Sequence, residues 1–99
     1  MINHVVLFKL KECAAHELQE QAETFKRMLL ALPPHIAEIK HMEVGLNHHF
    51  DGETFHLCLI SHFESLDDLK VYATHPEHLK VTDYVKDKIA KRAAVDFEF

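Results

Sequence analysis

Tyr72, His75 and His78 fall within one seven-residue run, Tyr-Ala-Thr-His-Pro-Glu-His, with Pro76 between the two imidazoles. A neutral imidazole beside a phenol suits carbonyl chemistry. The imidazole can take a proton from the carbon next to a carbonyl. The phenol can donate a hydrogen bond to the enolate oxygen that develops. Burial keeps a histidine neutral near pH 7, and a helix N-terminus pushes the same way. The same residues also have a purely structural reading. Buried Tyr and His bond to each other, to backbone or to water, because an unpaired polar group costs about 1–3 kcal/mol. An open cavity shared by both side chains would separate the two readings.

Two helices must position these residues. Ser65 with Asp68 three residues on resembles a capping box, with Asp in place of the usual Glu. The helix it opens is expected to turn Leu66, Leu69 and Tyr72 inward. It ends near His75, because the residue before a proline is pushed out of the helical region. Pro76 then suits the first position of a new helix, with Glu77 in its first turn. That helix is expected to run to about Arg92 on an apolar stripe of Val81, Val85 and Ile89. Extended back by three, the stripe reaches His78. Tyr72 and His78 should therefore face one interior, with His75 as a boundary or capping residue.

The remaining chain supplies the walls. His4 to Leu10 reads as a nearly all-apolar strand, covered on both faces. Ala14 to Leu32 reads as an amphipathic helix with Leu18, Ala22, Phe25, Leu29 and Leu32 on one face, stopped by Pro33-Pro34. Ile36 to Leu46 and Thr54 to Phe63 read as strands, with a bend at Gly45 and a loop holding His48 and His49 between them. Ala94 to Phe99 alternates as a last strand. The order βαββαβ is the ferredoxin-like split motif, an α+β fold with an antiparallel sheet and helices on one face. Strands that are apolar on both parities leave the other face needing cover. A second copy packed sheet to sheet supplies it, so a homodimer is expected.

Composition narrows the function. The 99 residues, 47% apolar, suit one domain spanning 1–99. A net charge of -5 provides no basic stripe for nucleic acid. Lys86, Lys88, Lys91 and Arg92, interleaved with Asp83 and Asp87, read as a solvated helix face. The two cysteines, Cys13 and Cys58, lack a CxxC spacing and read as free thiols of a cytoplasmic protein. No leader pattern or apolar span points to a membrane. The ten histidines include neither an HxxxH nor an HExxH pair.

The start His4-Val5-Val6-Leu7-Phe8-Lys9, the Leu32-Pro33 helix end, Gly45-Leu46-Asn47, Phe63-Glu64-Ser65, the Tyr72–His78 run and the ending Val95-Asp96-Phe97 together resemble the stress-responsive dimeric α/β-barrel (Dabb) family. The resemblance covers essentially the whole chain. Its plant members include a polyketide cyclase that performs an intramolecular aldol condensation without a redox cofactor. The resemblance implies that Tyr72 and His78 match a catalytic pair and that His4, His56 and Asp96 line a pocket for a small apolar carbonyl ligand. Where that enzyme has a pocket tyrosine on the first helix, this chain has Lys26, with Phe25 beside it as a candidate wall residue. The resemblance also implies backbone carbonyls near Leu30, Pro33 and Ile36 as ligands for Mg²⁺. Two functions follow as expectations: a binding module of unassigned ligand, or a cofactor-free cyclase or isomerase with His78 as base and Tyr72 as oxyanion donor.

Overall fold

A computed structural model describes residues 1–99. In chain order the elements are β1 (Ile2–Leu10), α1 (Ala15–Leu30), a short 3-10 turn (Pro33–His35), β2 (His41–Leu46), β3 (Leu57–Phe63), α2 (Leu66–Thr74), α3 (Pro76–Val85) and β4 (Ile89–Glu98). The four strands form one sheet in the order β2-β3-β1-β4. Every neighbouring pair is antiparallel. This is the ferredoxin-like α+β fold expected from the strand and helix order.

Alternation in β1 sets the layers. Ile2, His4, Val6, Phe8 and Leu10 are buried on one face. Across them, Leu57, Leu59, Ser61 and Phe63 of β3 are buried on the same side. Helix α1 brings Leu18, Ala22, Phe25 and Leu29 to this core, and α3 brings Val81 and Val85. The rings of Phe8 and Phe25 meet edge to face at 4.8 Å. Burying each such aromatic or aliphatic side chain contributes about 1.5–3 kcal/mol.

The opposite face of the sheet has no helix on it. Val5, Leu7, Cys58, Ile60, Val95 and Phe97 lie there in register across β3, β1 and β4. Leu7 is 38% exposed and Val95 61% exposed. The side-chain oxygen of Asn3, on the same face, is buried without a hydrogen-bond partner.

Several expected boundaries move, each for a local reason. β2 begins at His41 rather than Ile36. The Pro33-Pro34 turn continues past its end, with the Ile36 N–H bonding to the Leu32 carbonyl and the Ile39 N–H to that of Ile36. Ile36 and Ile39 are therefore buried plugs of a turn. Gly45 sits in plain register opposite Cys58, and the sheet's irregularity falls at Lys9/Leu10 instead. β3 begins at Leu57, because the Thr54 hydroxyl closes the preceding loop on the Asp51 carbonyl at 2.7 Å. Leu66 is 58% exposed, so the inward stripe of α2 is carried by Leu69 and Tyr72.

The largest correction concerns the C-terminal third. α3 stops at Val85, and β4 begins at Ile89 rather than Ala94. The Lys88 N–H bonds to the Val85 carbonyl, and the Lys88 carbonyl accepts the Lys11 N–H. This turn hands the chain directly to β1, where Ile89 pairs with Leu10. Lys91 and Arg92 therefore lie on a strand, not on a solvated helix face.

The start of α2 was legible in its cap. The Ser65 hydroxyl accepts the Asp68 N–H at 3.1 Å. Ser65→Ala is expected to lower the unfolding free energy by about 1 kcal/mol. Urea unfolding checks this, and a change under about 0.3 kcal/mol would show that the cap is dispensable.

Candidate functional site

The site is built at the break between α2 and α3. His75 is extended, with φ -64° and ψ 137°, and joins the two helices. Its N–H donates to the Tyr72 carbonyl at 3.2 Å, closing α2. Its Nδ1 accepts the Glu77 N–H at 3.1 Å, opening α3. His75 is thus a cap for both helices, as expected. The break turns Tyr72 at the end of α2 toward His78 in the first turn of α3. Their ring centroids are 4.4 Å apart.

Tyr72 is 2% exposed. Its ring packs on Phe63 at 5.1 Å and against the edge of His4 at 6.2 Å. Its hydroxyl is buried and has no hydrogen-bond partner. Burial drives the phenol's pKa well above its ordinary value, and nearby Arg92 opposes this only in part. The hydroxyl therefore keeps its proton and stands as an unused donor.

His78 has its tautomer set by the backbone. Its Nδ1 lies 3.0 Å from the Ala73 carbonyl, which can only accept, so Nδ1 carries the proton. Nε2 is left as a bare acceptor. Burial lowers the pKa of His78 below its ordinary 6.5, against the Ala73 carbonyl, which raises it. His4, Arg92 and His75 add to the lowering. His4 shows the same arrangement on β1. Its Nδ1 lies 2.5 Å from Asp96 Oδ1, its register partner on β4. Asp96 thus orients His4 from behind.

Tyr72, His78 and His4 share one cavity of about 140 Å³ between the sheet and helices α1 and α3. Phe25, Leu29 and Val81 form its apolar wall. A dry cavity of about 150 Å³ admits a benzene ring, so this one suits a small organic molecule. Four expected site residues, His78, Tyr72, His4 and Phe25, therefore meet at one place, with Asp96 supporting His4.

His56 is elsewhere. Its Nδ1 accepts the Leu10 N–H at 3.0 Å, and its ring lies 4.9 Å from that of Phe50. It borders an open groove with Lys9, Asn47 and His48, beyond the far end of β1. Because strand β3 starts only at Leu57, His56 escapes the sheet's alternation and turns inward to cap a stray N–H. Burial, then Lys9, lower its pKa. His48 and His49 lie in the exposed loop.

Leu30, Pro33 and Ile36 lie around the turn after α1. The Pro33 carbonyl accepts the Ile36 N–H at 3.4 Å and the Ile36 carbonyl accepts the Ile39 N–H at 3.1 Å. Two of the three proposed metal donors are thus already engaged by the fold. No three His, Cys, Asp or Glu side chains converge to hold a metal ion.

Sequence reasoning missed Arg92, which lines the cavity with Tyr72 and His78. The polar run Lys86-Asp87-Lys88 was the available signal. Read as a turn, it would have started β4 early and placed Arg92 on a strand face.

A family described as the stress-responsive A/B barrel domain matches residues 2–99. A dimeric protein of unknown function with a ferredoxin-like fold from Bacteroides fragilis is 42% identical, with a TM-score of 0.92 over 99% of this chain and 95% of that one. A Dabb family protein from Mesorhizobium loti is 22% identical, with a TM-score of 0.74 over 99% and 95% of the two chains. A hydroxynitrile lyase from Passiflora edulis is 18% identical, with a TM-score of 0.79 over 97% and 90%. The last two share the fold. No functionally curated sequence matches the chain.

The His78 assignment predicts a pH response. The unfolded chain takes up the proton first, because the folded pKa is the lower one. The stability held by this group is full above about pH 6.5 and is lost as pH falls toward the folded value. His56 acts with the same sign. His78→Gln is therefore expected to flatten part of the fall in unfolding free energy as pH drops below about 6.5. An acid limb identical to that of the wild type would show that His78 is not held neutral by the fold.

Proposed function

The chain belongs to the stress-responsive A/B barrel domain family, and on that premise we propose a homodimeric, cytoplasmic small-molecule-binding protein whose ligand carries a carbonyl group. Residues 1–99 form one such domain in this reading. The observation that carries it is the buried, unpartnered hydroxyl of Tyr72, a residue that lines the same cavity as His78. A buried hydroxyl without a partner costs about 1–3 kcal/mol. A ligand carbonyl accepting from it removes that cost on binding.

The same pair supports a second reading, cofactor-free turnover. His78 Nε2 takes a proton from the carbon next to the ligand carbonyl, breaking the C–H bond. The electron pair moves to the carbonyl oxygen, and the Tyr72 hydroxyl donates to that enolate. Return of the proton from His78 to another carbon completes an isomerisation; in a cyclisation the enolate carbon instead attacks a second carbonyl of the same molecule, whose π pair moves to its oxygen, and that oxygen takes the proton back from His78. The bare Nε2, created by the Nδ1–Ala73 hydrogen bond, favours this reading.

Tyr72→Phe separates binding from packing. The free protein is expected to lose no stability, and to gain up to about 1 kcal/mol, because the hydroxyl has no partner to lose. Affinity for cyclohexanone or 2-pentanone, followed by ligand-observed NMR, should fall about five- to tenfold, the worth of about one hydrogen bond. Undiminished affinity would overturn the binding role. Deuterium uptake next to the carbonyl, lost in His78→Gln, is the mark of turnover, and its absence in the wild type would remove the second reading.

The free sheet face supports the homodimer. Val5, Ile60, Val95 and Phe97 form a contiguous apolar patch there, the kind of surface that marks protein–protein contact. The 42% identical Bacteroides fragilis protein is dimeric. Two copies packed on these faces cover the patch. Sedimentation at micromolar concentration is expected to give a dimer, and Ile60→Glu a monomer. A monomeric wild type, or a dimer indifferent to Ile60→Glu, would contradict this.

A further inference from the structure

Arg92 is the one Lys or Arg on the wall of the cavity. None of the chain's five ion pairs includes it. Asp96 lies on the same face of β4, four residues along, so about 13 Å away at strand spacing, and its carboxylate is held by His4. Arg92 pairs in register with Phe8, whereas His4 sits nearer the start of β1. The cavity lining therefore carries two kinds of polar group. One is the phenol of Tyr72 with the imidazoles of His78 and His4. The other is a guanidinium, carried on β4 by a backbone position offset from His4 along the strand. Most of the remaining wall is apolar, with Val6, Leu29, Val81 and Val85.

We propose that the cavity takes a carbonyl compound that also carries a carboxylate, the two joined by a short apolar chain. The carboxylate docks on Arg92 and the carbonyl on Tyr72. This rests on the reading of Tyr72 as the carbonyl donor. The chemistry favours a carboxylate over a phosphate. A guanidinium fork matches two carboxylate oxygens with parallel N–H bonds. A phosphate ester brings a charge of about -1.5 to -2, which one guanidinium leaves only partly compensated. The apolar spacer excludes a ligand that is polar throughout, because its middle would lose water against Val81 and Leu29 with nothing in return. Arg92 is exposed in the single chain, so the docking is an affinity and orientation device at the mouth. It fixes which end of the ligand enters first.

The test compares 4-oxopentanoate with its methyl ester, which keeps the ketone and the chain but not the charge. Calorimetry at neutral pH is expected to show the acid bound about tenfold more tightly by the wild type, the scale of one charged hydrogen-bonded contact. Arg92→Gln should bring the two affinities within about twofold of each other, and Arg92→Lys should keep part of the preference. Equal affinities in the wild type, or a preference that survives Arg92→Gln, would overturn the proposal. Tyr72→Phe makes the two levels distinguishable. If it weakens both probes while the wild type shows no preference for the acid, the carbonyl reading stands and the Arg92 site falls. If it changes neither probe while Arg92→Gln abolishes the preference, the Arg92 site stands and the carbonyl reading falls. If neither probe binds the wild type at millimolar concentration, both fall.

Discussion

Pro76 has no N–H to donate and pushes His75 out of the helical region. One helix therefore cannot run from Leu66 to Val85, and the chain makes two. The cost of the break is met locally, because His75 supplies its own N–H to α2 and its Nδ1 to α3. The change of direction brings the last turn of α2 against the first turn of α3. Without it, Tyr72 and His78 would be six residues apart on one continuous helix, about 600° of rotation and 9 Å of rise. Their rings could not then lie 4.4 Å apart. The Ala73 carbonyl, freed near the end of α2, also becomes the partner that fixes the His78 tautomer.

What this constraint produces is a polar corner inside an apolar core. The phenol, the two imidazoles and the supporting carboxylate of Asp96 come from α2, α3, β1 and β4. Three of the four side chains have backbone or side-chain partners that hold them in place. The Tyr72 hydroxyl alone does not. Natural cores seldom leave such a group unpaired without a reason. Here the residue that carries it lines a cavity of about 140 Å³. A core built only for stability would have Phe at this position, with the same ring packing on Phe63 and no orphaned donor.

Most of this corner was legible in the residues. Tyr72 and His78 declare themselves because helical periodicity on both sides of Pro76 gives their direction without any tertiary information. Phe25 declares itself the same way on α1. His4 and Asp96 were suspected through family resemblance, and the structure supplies the register that joins them across β1 and β4. His56 and Arg92 were misplaced for a shared reason. Each sits next to a strand end, and an error of a few residues there changes which way a side chain points. Val81, Val85 and Ile89 keep a four-residue spacing through the end of α3 into β4, so the helix looks longer than it is. The first half of β4, Ile89 to Ala94, offers little alternation to correct the error, and the alternating Val95, Phe97 and Phe99 come too late to mark its start.

The decisive prediction concerns a crystal structure of the protein soaked with cyclohexanone: the ring lies inside the cavity between Phe25, Val81 and His78, with its oxygen about 2.7–2.8 Å from the Tyr72 hydroxyl. Density for the ketone only in the open groove beside His56, or a cavity closed by its own side chains in the crystal, would contradict it.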